Sequence, residues 1–181
     1  MSSDNKQPPI LTLYQLDQRS KAYAHSLPQQ LEVKSTWDGI AFKLGEFSLL
    51  APMEQVGEIL TINSISRIPG AKDWVRGIAN VRGNLLPILD LPGFVFGHVG
   101  KMSRKSRVLV MQHQGISAGL LVDEVFGMRH FLEEEFSKDV QQLDKSIQPF
   151  LTGSLRQRGE VWGVFDIHQL VERPEFMQVA A

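Results

Sequence analysis

The chain has 181 residues, 43% of them hydrophobic, enough to bury a core in one domain or in two small intertwined ones. Its 19 basic and 20 acidic residues leave a formal net charge of −1, so no global field favours a nucleic-acid backbone or an anionic membrane. Without cysteine there are no disulfides, thiolate metal sites or thiol nucleophiles, and no run approaches the roughly 18 apolar residues of a membrane span, so the expected location is the cytoplasm.

Residues 1–9 are polar and end in Pro8-Pro9, which reads as a frayed tail. From Ile10 to about Lys34 the pattern is weakly helical. Ile10, Leu13 and Tyr14 stand at i, i+3, i+4, and Tyr23, Leu27 and Leu31 recur every fourth residue. Ser26-Leu27-Pro28-Gln29 resembles a capping box, so a break and restart is expected there. The domain organisation predicted is an N-terminal extension over 1–35, a main domain over 36–174 and a tail over 175–181.

From Trp37 onward short β-branched and apolar runs are cut by glycine: "GIAFKL", "FSLLAP", "GEILTI", "GIANVRG", "LLPILDL", "RVLVMQH", "ISAGLLVDEV", "FLTGSLRQ" and "EVWGVFDI". Leu44-Gly45-Glu46, Arg82-Gly83-Asn84, His113-Gln114-Gly115 and Arg158-Gly159-Glu160 separate them as turns, so consecutive hairpins in an all-β barrel or sandwich are expected. Val108–Met111 and Leu120–Val122 are apolar on both alternations, which calls for cover on both faces. Short helices are predicted around Glu54–Val56 and from Asp166 to before Pro174. Between them, Glu133–Phe150 is a polar connection of 18 residues, a length that usually carries a function or some helix of its own.

"VRGNLLPILDL" and "RGEVWGVFDI" share one plan. Arg82 to Arg158 and Asp90 to Asp166 are separated by the same 76 residues. Arg-Gly supplies a turn, the strand buries its apolar side, and the terminal Asp is placed to cap a helical turn. "GISAGLLVDEV", with Asp123, is a looser third echo. A shared-proton aspartate dyad at a pseudo-dyad is the rival reading, but Asp90 is followed by Leu-Pro and Asp166 by Ile-His, not by the Thr-Gly or Ser-Gly turns that hold such carboxylates coplanar. Capping is expected, and no catalytic residue is assigned.

The five histidines show no helical ligand spacing, and neither a Gly-x-Ser-x-Gly elbow nor a phosphate-cradling loop occurs, so no metal and no cofactor are expected. "KMSRKSR" (Lys101–Arg107) is the basic cluster; it invites a nucleic-acid-binding reading, but a solvated loop between barrels accounts for it better. "FLEEEF" (Phe131–Phe136) reads as a solvated helix start, with a partner-facing acidic patch as the alternative.

Three segments in order, "VRGIANVRGNLLPILDL", "ISAGLLVDEVFGM" and "FLTGSL" ahead of "GVFDIHQLV", resemble the three signatures of the CheW-like family. The extension and the wording "PGAKDWVRGIANVRGN" are most similar to its PilI-type, twitching-motility branch. The resemblance implies a mostly β fold of two intertwined SH3-like five-stranded β-barrels with short helices and an N-terminal helical extension. It implies a non-catalytic adaptor between the cytoplasmic tip of methyl-accepting chemoreceptors and the regulatory domain of a CheA-type histidine kinase. Output would be type IV pilus motility or, alternatively, flagellar chemotaxis. Such a protein is recruited to receptor arrays at the membrane through its partners, without insertion and without nucleic acid. Carried over by motif, the partner-binding positions are Val56, Glu58, Gly77, Arg82, Gly83, Val125, Met128 and Gly153. The competing reading of each is backbone geometry for the glycines, core packing for Val56, Val125 and Met128, and a tie from Arg82 to the hairpin's neighbours.

Overall fold

The computed structural model describes residues 9–23, 36–157 and 159–180. Contacts divide the chain into two units, Met1–Val33 and Lys34–Ala181. In the first, Pro9–Tyr23 forms α1, entered through a proline whose missing N–H costs nothing in a first turn. Ile10, Leu13 and Tyr14 of its predicted apolar face are exposed. The expected break at Ser26–Gln29 lies outside the described residues, as does Arg158 of the second Arg-Gly turn.

The second unit runs β1 (Thr36–Leu44), β2 (Phe47–Pro52), β3 (Glu58–Leu60), β4 (Val75–Val81), β5 (Asn84–Asp90) and α2 (Leu91–Phe96). It continues with β6 (Arg107–His113), β7 (Ile116–Val122), β8 (Glu124–Leu132), β9 (Phe136–Ser137), β10 (Leu151–Gln157), β11 (Glu160–Phe165), α3 (Ile167–Val171) and α4 (Pro174–Met177). The helix expected near Glu54 is a single 3-10 turn, Met53–Gln55. A second such turn, Glu133–Glu135, stands where the acidic run was read as a helix start; Glu135 turns back to accept the Leu132 N–H at 3.1 Å.

These strands form two sheets, ordered β8-β1-β2-β11-β10-β9 and β3-β6-β7-β5-β4. The first has six strands where five were expected, because the two-residue β9 adds itself to the edge of β10. Each sheet is built from two antiparallel hairpins joined by one parallel pair, β2 with β11 and β5 with β7. The intertwining lies in two exchanged strands. β3 follows β2 but pairs with β6 of the other sheet, and β8 follows β7 but pairs with β1.

Alternation along the strands then makes three cores. Phe42, Leu44, Leu49 and Ala51 of the first sheet meet Leu89, Leu109, Met111 and Leu120 of the second in a shared central cluster. Their strand neighbours point the opposite way. Ala41, Leu50, Leu155 and Val164 gather with Phe131 and Trp162 inside the first sheet, and Leu86, Ile88, Val108 and Leu121 gather inside the second. This is why the strands read as apolar on both faces. Past Pro174, α4 buries Phe176 in the central cluster.

Candidate partner-docking surface

The turn joining β4 to β5 is Arg82-Gly83, with φ of 52° and 89°. Two successive positive φ values make a type I′ turn, whose twist suits the flanking strands. Asn80 Oδ1 accepts the Gly83 N–H at 2.8 Å and fixes the geometry. An arginine in the left-handed region is uncommon. Here it aims the guanidinium back at β3, where Nη2 reaches Glu58 Oε1 at 2.5 Å and Nη1 reaches Oε2 at 3.3 Å. The fork remains open to solvent, with 75% of the Arg82 side chain exposed. Beneath it lies a depression of about 320 Å³ floored by Val81, Leu86 and Val110, which is the open end of the second sheet's interior cluster. Leu85 stands at its rim, 71% exposed. Charge, a bidentate donor and an apolar recess are therefore combined on one surface.

A second surface lies on β8, an edge strand. The register between β1 and β8 slips at Ala41/Phe42, where Gly127 takes φ of 94°. This bulge sets Val125 opposite Phe42 and Met128 opposite Ile40, and both opposing residues belong to the central cluster. Val125 packs against that cluster while Met128 is half exposed.

The remaining candidates serve the backbone. Gly77 has φ of 135°, and a Cβ there would sit 2.0 Å from the Ser66 carbonyl oxygen. A Cβ on Gly153 would meet the Phe136 ring at 2.5 Å and the Ser137 oxygen at 2.6 Å. Both glycines follow a register slip, at Val75/Gly77 and at Leu151/Gly153. They stand 76 residues apart, so the repeat visible in the sequence extends further back than the Arg-Gly turn. Val56 ends the 3-10 turn and packs on the central cluster. Thus Glu58, Arg82 and Gly83 come together, Val125 and Met128 share another face, and Val56, Gly77 and Gly153 underpin the fold. Leu85 is the exposed apolar residue of this surface that the motif reading missed. The doublet Leu85-Leu86 held the signal, since strand alternation turns one of two adjacent leucines outward.

The strand-end aspartates are caps, as expected. Asp90 Oδ1 accepts the Gly93 N–H at 3.0 Å, and Asp166 Oδ1 accepts the Gln169 N–H at 3.1 Å. Their surroundings differ. Asp90 is fully buried, and its Oδ2 takes the Gly100 N–H at 2.9 Å and the Arg76 guanidinium at 2.8 Å. Asp166 is bracketed by Gln55, which donates to Asp166 Oδ1 at 3.1 Å and accepts the Ile167 N–H at 2.8 Å. The third echo, Asp123, sits where the chain crosses from β7 to β8, and its Oδ2 holds the Gly45 N–H of the β1–β2 turn at 2.7 Å.

The CheW-like domain model matches residues 38–175. Protein PilI of Pseudomonas aeruginosa is 43% identical over 174 residues, covering 96% of this chain and 97% of its own. Chemotaxis protein CheW of Thermotoga maritima is 21% identical over 133 residues, covering 74% of this chain and 86% of its own. The crystal structure of the scaffolding protein TtCheW from Thermoanaerobacter tengcongensis superposes with a TM-score of 0.66 at 26% identity, covering 77% of this chain and 95% of that one.

Proposed function

The chain belongs to the CheW-like family, and from that premise we propose that it is a non-catalytic adaptor of a type IV pilus chemosensory system, joining methyl-accepting receptors to a CheA-type histidine kinase. The near full-length similarity to PilI supports the pilus branch over the flagellar one, to which the similarity is lower and shorter. The observation that carries the reading is the solvent-facing Arg82–Glu58 fork over an apolar recess. That is the chemistry of a protein contact: a desolvated anchor pocket ringed by a charged pair that fixes partner and register. In this reading the recess, Glu58, Arg82 and Leu85 face the kinase regulatory domain. Met128 and the bulged stretch of β8 face a helical receptor tip, which lays apolar side chains along a groove. Function is then a coupling free energy, since the adaptor favours one arrangement of receptor and kinase over another. No helix among the described residues is long and apolar enough to cross a membrane, and recruitment to receptor arrays would run through the partners.

The test is binding of the full chain to a receptor signalling fragment and to the kinase regulatory domain, measured separately. Arg82→Glu and Glu58→Lys are expected to weaken kinase-domain binding by about tenfold or more with an unchanged circular dichroism spectrum. Met128→Asp is expected to weaken receptor binding instead. Failure of the unmodified chain to bind either fragment would overturn the proposal.

A further inference from the structure

Five bulky apolar residues crowd the first two turns of α1: Ile10, Leu11, Leu13, Tyr14 and Leu16. All five are exposed, from 49% at Leu11 to 72% at Ile10. At about 3.6 residues per turn they occupy an arc of roughly 220°, running from Leu16 through Leu13, Ile10 and Tyr14 to Leu11. Gln15 and Arg19 fall in the remaining polar wedge. The one polar atom of the arc, the Tyr14 hydroxyl, accepts a hydrogen bond from Gln18 Nε2 at 3.2 Å, so it has a partner within the helix when the arc is covered. A helix lying on one flat surface needs an apolar stripe of only about 100°. An arc twice that wide calls for a groove that grips the helix from two sides.

Two further observations select the owner of that groove. α1 lies outside residues 38–175, which the CheW-like domain matches. The similarity to PilI takes it in, spanning 96% of this chain, whereas the similarities to Thermotoga CheW and to TtCheW span 74% and 77%. α1 therefore goes with the pilus-type relative. The chain that follows α1 leads into β1, the strand paired with β8, whose Met128 face was assigned above to the receptor. Residues 24–35, even fully extended, reach no more than about 40 Å, so α1 is tethered to the receptor-facing side of its own chain.

From the width of this arc and its tether we propose that α1 docks as a third helix in the furrow between the two antiparallel helices of a pilus-type receptor hairpin, with Ile10, Leu13, Tyr14 and Leu16 as its anchors. The inference rests on the adaptor reading and extends it: β8 and α1 hold one receptor at two points, and each raises the effective concentration of the other.

The experiment measures binding of the full chain to a pilus-type receptor signalling fragment and, separately, to the kinase regulatory domain. L13D/Y14D is expected to weaken receptor binding about tenfold or more and to leave kinase-domain binding unchanged. The milder L13A/Y14A, which keeps helix propensity, should weaken receptor binding in the same direction, and Gln15→Lys, in the polar wedge, should change neither. Receptor binding retained by L13D/Y14D would overturn this proposal and leave the adaptor reading standing, whereas an unmodified chain that binds no receptor overturns both. Three other occupants give contrary results in place of the receptor defect, and each counts against the proposal. They are loss of kinase-domain binding, concentration-dependent self-association that L13D/Y14D abolishes, and co-sedimentation with phosphatidylcholine–phosphatidylglycerol vesicles that L13D/Y14D abolishes.

Discussion

Arg82 holds a left-handed conformation that costs a non-glycine residue roughly 1–2 kcal/mol. An exposed ion pair returns little of that, typically under about 1 kcal/mol. Stability alone does not account for an arginine here, whereas presenting a guanidinium at a hairpin tip does. Arg82→Gly is therefore expected to leave the unfolding midpoint unchanged or higher while weakening kinase-domain binding, a separation that denaturation and binding curves would reveal. The glycines divide in a related way. Gly77→Ala meets both the Ser66 carbonyl and a forbidding φ, and should cost about 3 kcal/mol or more in chemical denaturation. Gly83→Ala meets no atom within 4 Å and should cost only about 1 kcal/mol of backbone strain. The sequence motif marked both positions alike. It did not distinguish them, because the crowding at Gly77 comes from Ser66, whose segment folds back to bridge Ile78 through contacts that no local pattern encodes.

At the scale of elements, the two capped strand ends were legible because a carboxylate closing an apolar strand has one cheap task, to receive the next turn's N–H groups. Their unequal depth was not legible. The buried Asp90 also pairs with the partly exposed Arg76, so Asp90→Asn leaves that guanidinium without its counter-ion and should destabilise by about 2–3 kcal/mol. Asp166→Asn keeps a capping oxygen at a partly exposed site and should cost under about 1 kcal/mol; thermal unfolding of the two variants makes the comparison. Hairpins were predicted well, since glycine at the turn and alternation along the strand are both local signals. β9 and α4 escaped, being two and four residues long and owing their form to what they pack against. The 18-residue connection after β8 was marked as too long to be idle. It is ordered by its own contacts, including Ser154 Oγ to the Asp139 carbonyl at 2.6 Å and the fully buried Ile147.

For the whole molecule, the internal repeat announced two like units but not which strands they trade. Alternating hydrophobicity assigns faces to a strand and says nothing of its neighbours, so the crossing of β3 and β8 had to come from the family resemblance. Because each sheet contains a strand that leads directly from the other, neither is expected to open alone. The slowest-exchanging amides of Leu49 in the first sheet and Leu120 in the second should report the same opening free energy, to within about 0.5 kcal/mol by native-state hydrogen exchange. A wide gap between them would mean two separable units. The traded strands also bear on ancestry. A polypeptide of half this length, with two hairpins, one migrating strand and one capped turn, would satisfy its backbone only by embracing a twin. Fusing the twins end to end makes the embrace permanent at any dilution, and frees each half to diverge from the other.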